Sequence, residues 1–387
     1  MVTKYIEQGK KRLEKFRGEW KIKKLADIGE PLIGLTYKPS NVKSEGTLVL
    51  RSSNVFNGTL RFDDNVYVDI DIPDKIRIRK GDILICVRNG SRHLIGKCAY
   101  IDENFKDMTF GAFMAIFRSP FNDFVFQQFQ SNGIKTQIAE NLGATINQIT
   151  NKTLNSLEIL FPEDPDERLA ITKILSDTDA LIQQLDYLIT KKKNIKQGAM
   201  QELLTGKKRL EGFSEKWKIK KFGDVLKVKH GKSQKKISDE HGQYPILATG
   251  GKIGMTREFL YDKPSVLIGR KGTIDKPQYI DVPFWTIDTL FYTEIFSDTD
   301  PKFILYKFKS INWYSYNEAS GVPSLNASTI ENIEQQFPPT KEEQSAISQI
   351  ISDMDAEIEG LERNRDKYVM IKNGMMQKLL TGEIRVK

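Results

Sequence analysis

The sequence is poor in the residue types that hold metal ions and disulfides. Its 387 residues include only two cysteines and three histidines, which are Cys86, Cys98, His93, His230 and His241. None of them stands in a ligand spacing such as C-x-x-C or H-x-x-x-H. We therefore expect no structural zinc site.

Long apolar runs are missing as well. The first residues include Lys4, Glu7, Lys10 and Lys11, where a secretory signal needs an uninterrupted apolar stretch. Elsewhere no uncharged run approaches the ~18 residues of a membrane-spanning helix. The sequence thus predicts a soluble, reduced, cytoplasmic protein that has no membrane partner.

Segments that resemble part of a nucleotide-binding or catalytic motif lack other residues that the motif requires. The segment 230–233 (HGKS) resembles the end of a phosphate-binding loop, but the glycine required five positions before Gly231 is Leu226. The glycines of 248–254 (ATGGKIG) lack the G-x-G-x-x-G spacing. We find no Asn/Asp-Pro-Pro-aromatic run of an amino-methyltransferase, no acidic set typical of a metal-dependent nuclease and no catalytic triad. The sequence favours a binding protein over an enzyme.

What the sequence does have is length and positive charge. Lysine and arginine outnumber aspartate and glutamate by 59 to 51, a formal net charge of +8, which favours an acidic partner such as nucleic acid. At ~150 residues per domain the chain predicts two or three domains, each able to bury a core.

The chain contains two internal repeats. Residues 9–25 and 206–222 agree at 12 of 17 positions, and residues 161–206 and 337–382 align without gaps and agree at 22 of 46 positions. A start segment, a variable region and a helical segment therefore occur twice in the same order. The predicted segments are a first variable domain at 1–160, a central helix at 161–206, a second variable domain at 207–336 and a C-terminal helix at 337–387.

Each helical segment has the apolar spacing of an amphipathic helix of about 35 to 40 residues. At ~1.5 Å per residue each helix would span about 50 to 60 Å and hold the variable domains apart. Because the apolar stripe is narrow, we predict that the two helices pack as an antiparallel coiled coil; the alternative is that each folds back on its own domain. The residues predicted to pair are Ile171, Leu175, Ile182 and Leu185 on the first helix and Ile347, Ile351, Ile358 and Leu361 on the second.

Four polar clusters in the variable domains are candidates for DNA binding. Arginine and lysine suit guanine O6 and N7, and asparagine suits adenine N6 and N7. The candidates are Arg51, Ser52, Ser53 and Asn54; Arg88, Asn89, Ser91 and Arg92; Thr249 and Lys252; and Arg270, Lys271 and Thr273. The matching place of Arg88 and Arg270 before a glycine is the strongest of these signals. The alternative for each cluster is a solvated hairpin tip.

Further candidates lie at the start of the second variable domain. Lys229 and Lys232, within a run of five lysines at 227–236, are predicted to follow DNA phosphates, with a solvated face as the alternative. The aromatic run 283–296 (PFWTIDTLFYTEIF) indicates core packing more than base stacking. Both variable regions end in a small-residue loop, at 143–162 and 321–338. We predict mixed sheets with some helix, an α+β fold with a pseudo-twofold repeat.

Several short motifs recur along the chain in a fixed order. They are the W-K-x-x-K starts at Trp20 and Trp217, GDIL at Gly81, YPILATGG at Tyr244, the FP…E-x-x-A-I helix starts at Phe161 and Phe337, and the Q-x-L-L-T-G ends at Gln201 and Gln377. In this order, and with the framing motifs present twice, the chain resembles the specificity (S) subunits of type I restriction-modification systems, and the resemblance covers essentially the whole chain.

The resemblance implies two target-recognition domains and two conserved helical regions. Each domain would read one half of an asymmetric bipartite site in the major groove of double-stranded DNA. The helices would fix the gap between the halves and dock two methyltransferase (M) subunits, which endonuclease-translocase (R) subunits join. It also implies that the S subunit catalyses nothing and binds no cofactor, since S-adenosylmethionine, ATP and magnesium belong to the partners.

Other interpretations stay open at this point. The N-terminal copy departs from the pattern, because residues 1–9 keep only the tail of a helix end, and this predicts that the two termini meet. The charge and the repeat also suit a stand-alone DNA-binding regulator or architectural protein. An unrecognised nuclease is a third alternative.

Overall fold

The computed structural model describes residues 19–142 and 147–386. In the first part of the chain the strands are β1 Trp20–Lys24, β2 Glu30–Ile33, β3 Val42–Lys43, β4 Thr47–Leu50, β5 Val55–Phe56, β6 Thr59–Leu60, β7 Tyr67–Val68, β8 Ile83–Cys86, β9 Cys98–Tyr100, β10 Met108–Phe110, β11 Met114–Arg118 and β12 Glu158–Pro162. The helices there are α1 Asn122–Gln130, α2 Asn132–Asn141, α3 Asn151–Ser156 and α4 Pro165–Leu203.

The second part of the chain follows a similar order. Its strands are β13 Lys218–Lys221, β14 Leu226–His230, β15 Tyr244–Ala248, β16 Gly251–Thr256, β17 Ser265–Gly269, β18 Gln278–Ile280, β19 Trp285–Thr286, β20 Leu290–Ile295 and β21 Glu334–Phe337. Its helices are α5 Pro301–Lys309, α6 Ala327–Asn332 and α7 Lys341–Leu379.

The contacts of the chain divide it into two units. The first unit comprises the described residues up to Gln184 together with those from Arg365 onward, and the second unit is Leu185–Asn364. Both divisions fall inside a long helix, α4 or α7. Each unit therefore contains a part of each long helix in addition to one variable domain.

The first unit is built on two four-stranded sheets. One has the order β2-β11-β8-β9 and is antiparallel, and the other has the order β10-β4-β7-β3 with a parallel pair of β4 and β10. The strands β1 and β12 form a separate antiparallel ribbon. Apolar residues of β8 are completely buried, because this central strand is covered on both faces.

The second unit repeats this arrangement. Its antiparallel sheet has the order β14-β20-β17-β18, a three-stranded sheet has the order β16-β15-β19 with a parallel pair of β15 and β19, and β13 pairs with β21. The aromatic run lies in this fold as core, since Phe284, Trp285, Phe291 and Tyr292 are buried. The predicted α+β fold with mixed sheets and an internal repeat is confirmed.

The two predicted helices are present, and each is 39 residues long. In the first unit Glu167 binds Arg385, and farther along α4 Asp179 binds Lys372. In the second unit Lys192 binds Glu357 and Arg209 binds Glu343. As one residue number rises, its partner's falls, so the helix halves pair in antiparallel fashion within each unit.

The predicted stripe residues serve two kinds of packing. Ile171 and Leu175 are completely buried in the domain core of the first unit, and Ile347 and Ile351 are buried in that of the second. The helix starts therefore do pack on their own domains, which was the alternative to a coiled coil. Of the other four residues, Leu185 and Ile358 are buried and Ile182 and Leu361 are half-buried.

An ion pair between the buried Lys372 and the half-buried Asp179 fixes the register of the two helix segments in the first unit. Lys372 Nζ lies 2.5 Å from Asp179 Oδ1 and donates to Gln130 Oε1 at 2.7 Å. Burial lowers the pKa of Lys372, and the neighbouring carboxylate of Asp179 acts in the opposite direction. A buried charge pair of this kind is stabilising only in one register, so it specifies how the helices align.

The second unit contains the equivalent pair, Lys196 with Asp355. Tyr306 of α5 donates to Asp355 Oδ2 at 3.0 Å, as Gln127 of α1 donates to Asp179 Oδ2 at 3.4 Å. Both units thus attach the helix pair to the variable domain through one aspartate.

A second contact is present in both units, in which a buried glutamate binds a tryptophan and an arginine. In the first unit Glu167 is completely buried and accepts hydrogen bonds from Trp20 Nε1 at 3.2 Å and Arg385 Nη2 at 2.7 Å. In the second unit Glu343 accepts from Trp217 Nε1 at 3.1 Å and Arg209 Nε at 2.8 Å. We call each set of three residues a latch.

The latch of the first unit uses the end of the chain. Gly382, with φ +72°, packs against Trp20 as Gly206, with φ +71°, packs against Trp217. The segment 382–386 therefore takes the place in the first unit that 206–210 takes in the second. Residues 1–9, on which the predicted meeting of the termini rests, lie outside the described residues.

Candidate nucleic-acid interface

Three loops of the first unit converge at one end of its sheets. Asn89 Nδ2 donates to Ser52 Oγ at 3.1 Å, which joins two of the predicted clusters. The Gly111 amide donates to the Leu50 carbonyl at 2.9 Å and holds the turn 111–113 beside them. Ser52 is half-buried and Ser53 is exposed at this end. We call the set of loops 51–54, 88–91 and 111–113 the first loop cluster.

Asn54 and Arg51 hold loop 51–54 of the first loop cluster in its conformation. Asn54 is 0% exposed, and its side-chain amide donates to the Arg61 carbonyl at 3.0 Å while its Oδ1 accepts from the Arg51 amide at 2.9 Å. The Arg51 guanidinium forms an ion pair with Asp64 at 2.8 Å. Asn54 therefore shapes the loop instead of facing a ligand, which corrects the prediction for this residue.

Arg88 is the exposed cation of the first loop cluster. Its guanidinium lies 4.9 Å from the centre of the Phe113 ring, a cation–π contact. Within the described residues no hydrogen bond or ion pair holds that guanidinium. Its N–H edge is therefore available to a base or a phosphate.

Arg92 and Ser91 lie on the same loop as Arg88 but form different hydrogen bonds. Arg92 Nη2 donates to the carbonyls of Ala139 and Leu142, at 3.2 and 3.4 Å, and so binds the last carbonyls of α2. The exposed Ser91 donates its amide to Asn89 Oδ1 at 3.0 Å. The Arg92 guanidinium thus binds its own domain, although both Arg92 and Ser91 are exposed residues.

The second unit brings its two predicted clusters together by close packing around Gly269. Gln278 Nε2 donates to the Thr249 carbonyl at 3.3 Å. A Cβ at Gly269 would lie 2.0 Å from the Thr273 carbonyl and 3.2 Å from Thr249 Cγ2, so only glycine fits there. Lys252 is exposed beyond this contact. We call the loops 249–252, 270–273 and 287–289 the second loop cluster.

Strand register shows which residues of the two clusters correspond. Cys86 pairs with Met114 on β11, and Gly269 pairs with Leu290 on β20. One position later, the amides of Val87 and Arg270 donate to the carbonyls that precede those partners, at 3.0 and 2.8 Å. Arg270 is therefore the counterpart of Val87.

This register corrects the predicted match of Arg88 with Arg270. The counterpart of Arg88 is Lys271, and each forms a bridge with the small-residue loop, to Gln148 and Ser324 respectively. Arg270 Nη1 donates instead to the Asp288 carbonyl at 3.2 Å. Lys271 is the exposed cation of the second loop cluster.

The small-residue loops complete both clusters. Asn147 Nδ2 donates to the Gly90 carbonyl at 3.0 Å, and the Gly272 amide donates to the Pro323 carbonyl at 2.9 Å. The sequence signal for these loops was their shared position at the end of each variable region. Residues 143–146 lie outside the described residues.

The predicted phosphate-binding lysines are only partly available. Lys229 lies 3.4 Å from Glu294, and Lys227 lies 3.9 Å from Glu331. The backbone of Lys232 is fixed by hydrogen bonds to Thr286 and Trp285, at 2.8 Å each, while its side chain is exposed. Lys232 therefore suits a phosphate contact better than Lys229 does.

Two residues of the clusters were not predicted from the sequence. Phe113 is 57% exposed beside Arg88, and Thr289 takes its place in the second unit, before Leu290. The available signal was position, because both residues directly precede the central strand of a sheet.

Comparison with known proteins identifies the family. The family described as "Type I restriction modification DNA specificity domain" matches residues 17–197 and again residues 214–367. The chain belongs to this family. The two matches coincide with the two copies of the internal repeat, so each unit corresponds to one specificity domain.

Two specificity subunits from Methanocaldococcus jannaschii are similar to this specificity-domain protein. The protein described as "Putative type I restriction enzyme MjaX specificity subunit" is 26% identical over 410 residues, covering 95% of this chain and 94% of that protein. The MjaVIII type I restriction enzyme specificity subunit is 27% identical over 190 residues, covering 43% and 42%.

Solved structures show the same fold. The type I S subunit from M. genitalium superposes with a TM-score of 0.65 at 18% identity, covering 95% of this chain and 97% of that one. A structure from work on complex assembly and conformational transition of the type I restriction-modification system gives a TM-score of 0.55 at 14% identity, covering 94% and 98%.

The described residues bring together no group of three His, Cys, Asp or Glu side chains that could hold a metal ion. None of the helices within the described ranges combines the length and apolar character that a membrane span requires.

Proposed function

We propose that this chain is the DNA sequence-recognition subunit of a type I restriction-modification complex. Each loop cluster reads one half of an asymmetric bipartite site from the major groove of double-stranded DNA. The observation that carries the proposal is that the two clusters lie at the same place on equivalent sheets yet carry different side chains. Arg88 and Phe113 in the first correspond to Lys271 and Thr289 in the second. Two equivalent sheets whose loops carry different side chains are suited to read two half-sites of different sequence.

The long helices have the second role in this proposal. They set the gap between the half-sites and dock two methyltransferase subunits, and restriction subunits join that assembly. The duplicated ion pairs, Asp179 with Lys372 and Asp355 with Lys196, support it because they fix one register of the helix pair in each unit.

The chain itself contributes recognition and no chemistry. S-adenosylmethionine, ATP and Mg²⁺ are bound by the partner subunits, and the complex works in the cytoplasm on the DNA found there. Exposed lysines such as Lys232 and Lys252 contact phosphates and add affinity without sequence preference.

The test is methylation by a reconstituted complex. The chain is co-expressed with its methyltransferase partner in a host that lacks other DNA methylation, and the host genome is sequenced for methylated bases. We expect adenine methylation at one split sequence with a gap of constant length, which disappears when this chain is omitted. Methylation at no specific sequence would overturn the proposal.

The same material separates the alternatives. A stand-alone regulator would bind one sequence tightly as the isolated chain, with an affinity that the methyltransferase does not change. A nuclease would cut DNA in the presence of a divalent metal ion and without partners. Either result would contradict the assignment to a methyltransferase complex.

A further inference from the structure

The first loop cluster contains an aromatic ring where a solvent-facing polar residue is the norm. Phe113 is 57% exposed, although burial of a phenylalanine side chain is worth about 1.5–3 kcal/mol. Arg88 lies against the ring, and Asn89 of the same loop donates to Ser52. One exposed ring is much smaller than the apolar patch of a protein-docking surface.

Hydrogen bonds hold the backbone of Phe113 in a fixed position. The Phe113 carbonyl accepts from the amides of Val87 and Arg88, at 3.0 and 3.1 Å. The preceding residue, Ala112, donates to the Leu35 carbonyl at 2.9 Å. The ring therefore projects from a backbone segment that is hydrogen-bonded to two neighbouring segments, at Leu35 and at 87–88. A fixed backbone of this kind is what precise base contact requires.

Arg88 and Phe113 form a combined contact surface. The guanidinium stacks on the ring at 4.9 Å from its centre, and within the described residues its N–H edge has no partner. An arginine edge suits guanine O6 and N7, and an apolar ring suits the 5-methyl group of thymine, which also lies in the major groove. The two side chains are close enough to meet neighbouring bases.

On the basis of the proposed function, we propose that Phe113 is a specificity-determining residue whose exposed ring contacts the 5-methyl group of a thymine next to the base contacted by Arg88. The contact belongs to the half-site read by the first unit. In the second unit Thr289 stands at the equivalent position, so the other half-site has a different contact there.

Deoxyuridine substitution tests this contact, because deoxyuridine differs from thymidine only by the methyl group. Each thymine of the half-site read by the first unit is replaced in turn in a synthetic duplex, and the methylation rate of the methyltransferase complex is measured. We expect a loss of about fourfold at one position, from the free energy of burying one methyl group. The variant Phe113→Ala should methylate thymine and deoxyuridine duplexes at equal rates.

Phe56 provides the matched control. It is 48% exposed in the same unit, and Arg61 lies over its ring at 5.4 Å, but Arg61 is held in an ion pair by Asp63. Phe56→Ala should keep the full sensitivity to the thymine methyl group. Retained methylation of the other half-site by Phe113→Ala shows that this variant is folded.

Two failures are distinguishable. If wild-type complex methylates a split site at equal rates with and without every thymine methyl group, or if Phe113→Ala keeps the wild-type sensitivity, the inference about Phe113 is overturned and the proposed function stands. If wild-type complex methylates no specific sequence, the proposed function fails.

Discussion

Arg88 and Lys271 hold the same place in the two loop clusters, two positions beyond the last paired residue of the central ladder, which is Cys86 in one unit and Gly269 in the other. Both side chains are exposed, and within the described residues neither forms an ion pair with an acidic side chain. Arg270, which looks equivalent to Arg88 by sequence, instead donates to the Asp288 carbonyl of its own unit. Under the proposed function, we therefore expect base discrimination to depend on Arg88 and Lys271.

We expect Arg88→Ala to relax one base position of one half-site. The loss of a bidentate guanine contact costs about 1–3 kcal/mol of discrimination, and Lys271→Ala should relax a position in the other half-site only. Methylated-base sequencing with each variant measures this. Arg92→Ala is the control, because Arg92 binds carbonyls of α2 and its loss should lower stability without changing the recognised sequence. A uniform loss over all sequences would make Arg88 a phosphate contact.

Lys307 makes the stability of the second unit depend on pH. It is 2% exposed, and burial lowers its pKa to about 8 from 10.5. Between these two pH values the unfolded chain binds more protons than the folded chain, so the free energy of unfolding rises with pH. At 1.36 kcal/mol per pKa unit the full rise is about 3 kcal/mol.

The variant Lys307→Gln should remove this rise. The first unit already has Gln128 at the equivalent place, where it donates to the Leu380 carbonyl at 3.3 Å as Lys307 donates to the Leu204 carbonyl at 2.5 Å. Denaturant unfolding of both proteins at pH 7 and pH 10, followed by tryptophan fluorescence, measures the difference. A stability gap between the two proteins that is the same at both pH values would contradict the assignment.

At the scale of elements, the first unit depends on a segment from the end of the chain. Glu167 is completely buried between Trp20 and Arg385. Removal of one partner from a buried ion pair leaves an uncompensated charge and costs about 3–5 kcal/mol. We expect Arg385→Ala to destabilise the first unit by about this amount, with the second unit unaffected.

Hydrogen exchange, resolved by peptide, measures the two units separately. Arg209→Ala is the matched variant, since Arg209 forms the latch with Glu343 in the second unit. It should raise exchange there and leave the first unit protected. Equal exchange of both units in either variant would show that the latches do not act locally.

The elements that the sequence predicts well are those with strong periodicity. The apolar spacing and the Thr-Gly ends indicate both long helices, and the repeat indicates two copies of one domain. The latch of the first unit is harder to predict, because 382–386 shares only Gly382 and Arg385 with its counterpart 206–210. Two residues in five are too few to distinguish a latch segment from any other chain end.

Loop side chains are the least predictable part of the site. Asn54 and Asn89 are both asparagines on polar loops, yet one is buried by its own loop and the other joins two loops. Which of them faces outward is decided by partners distant in sequence, such as Ser52 for Asn89 and Asn65 for Asn54. Local pattern carries no information on such partners.

At the scale of the whole molecule, the two long helices are the only described elements that belong to both units. Any proposal in which the chain measures the gap of a split DNA site must therefore depend on their length. Their register is fixed in each unit by its own ion pair, at Asp179 and at Asp355. Lengthening both helices together leaves these pairs intact, whereas lengthening one helix displaces one pair.

This difference allows a sharp test of the proposal that the two long helices set the gap between the half-sites. Insertion of four residues into both helices, after Gln184 and after Asn364, adds ~6 Å of helix, and at ~3.4 Å per base pair the gap of the methylated site should grow by one or two pairs. The same insertion in α4 alone separates the partners of an ion pair and should abolish methylation. If the helices set the distance between the half-sites, a longer helix pair must give a longer gap. An unchanged gap in the double-insertion variant would therefore show that the helices do not set this distance.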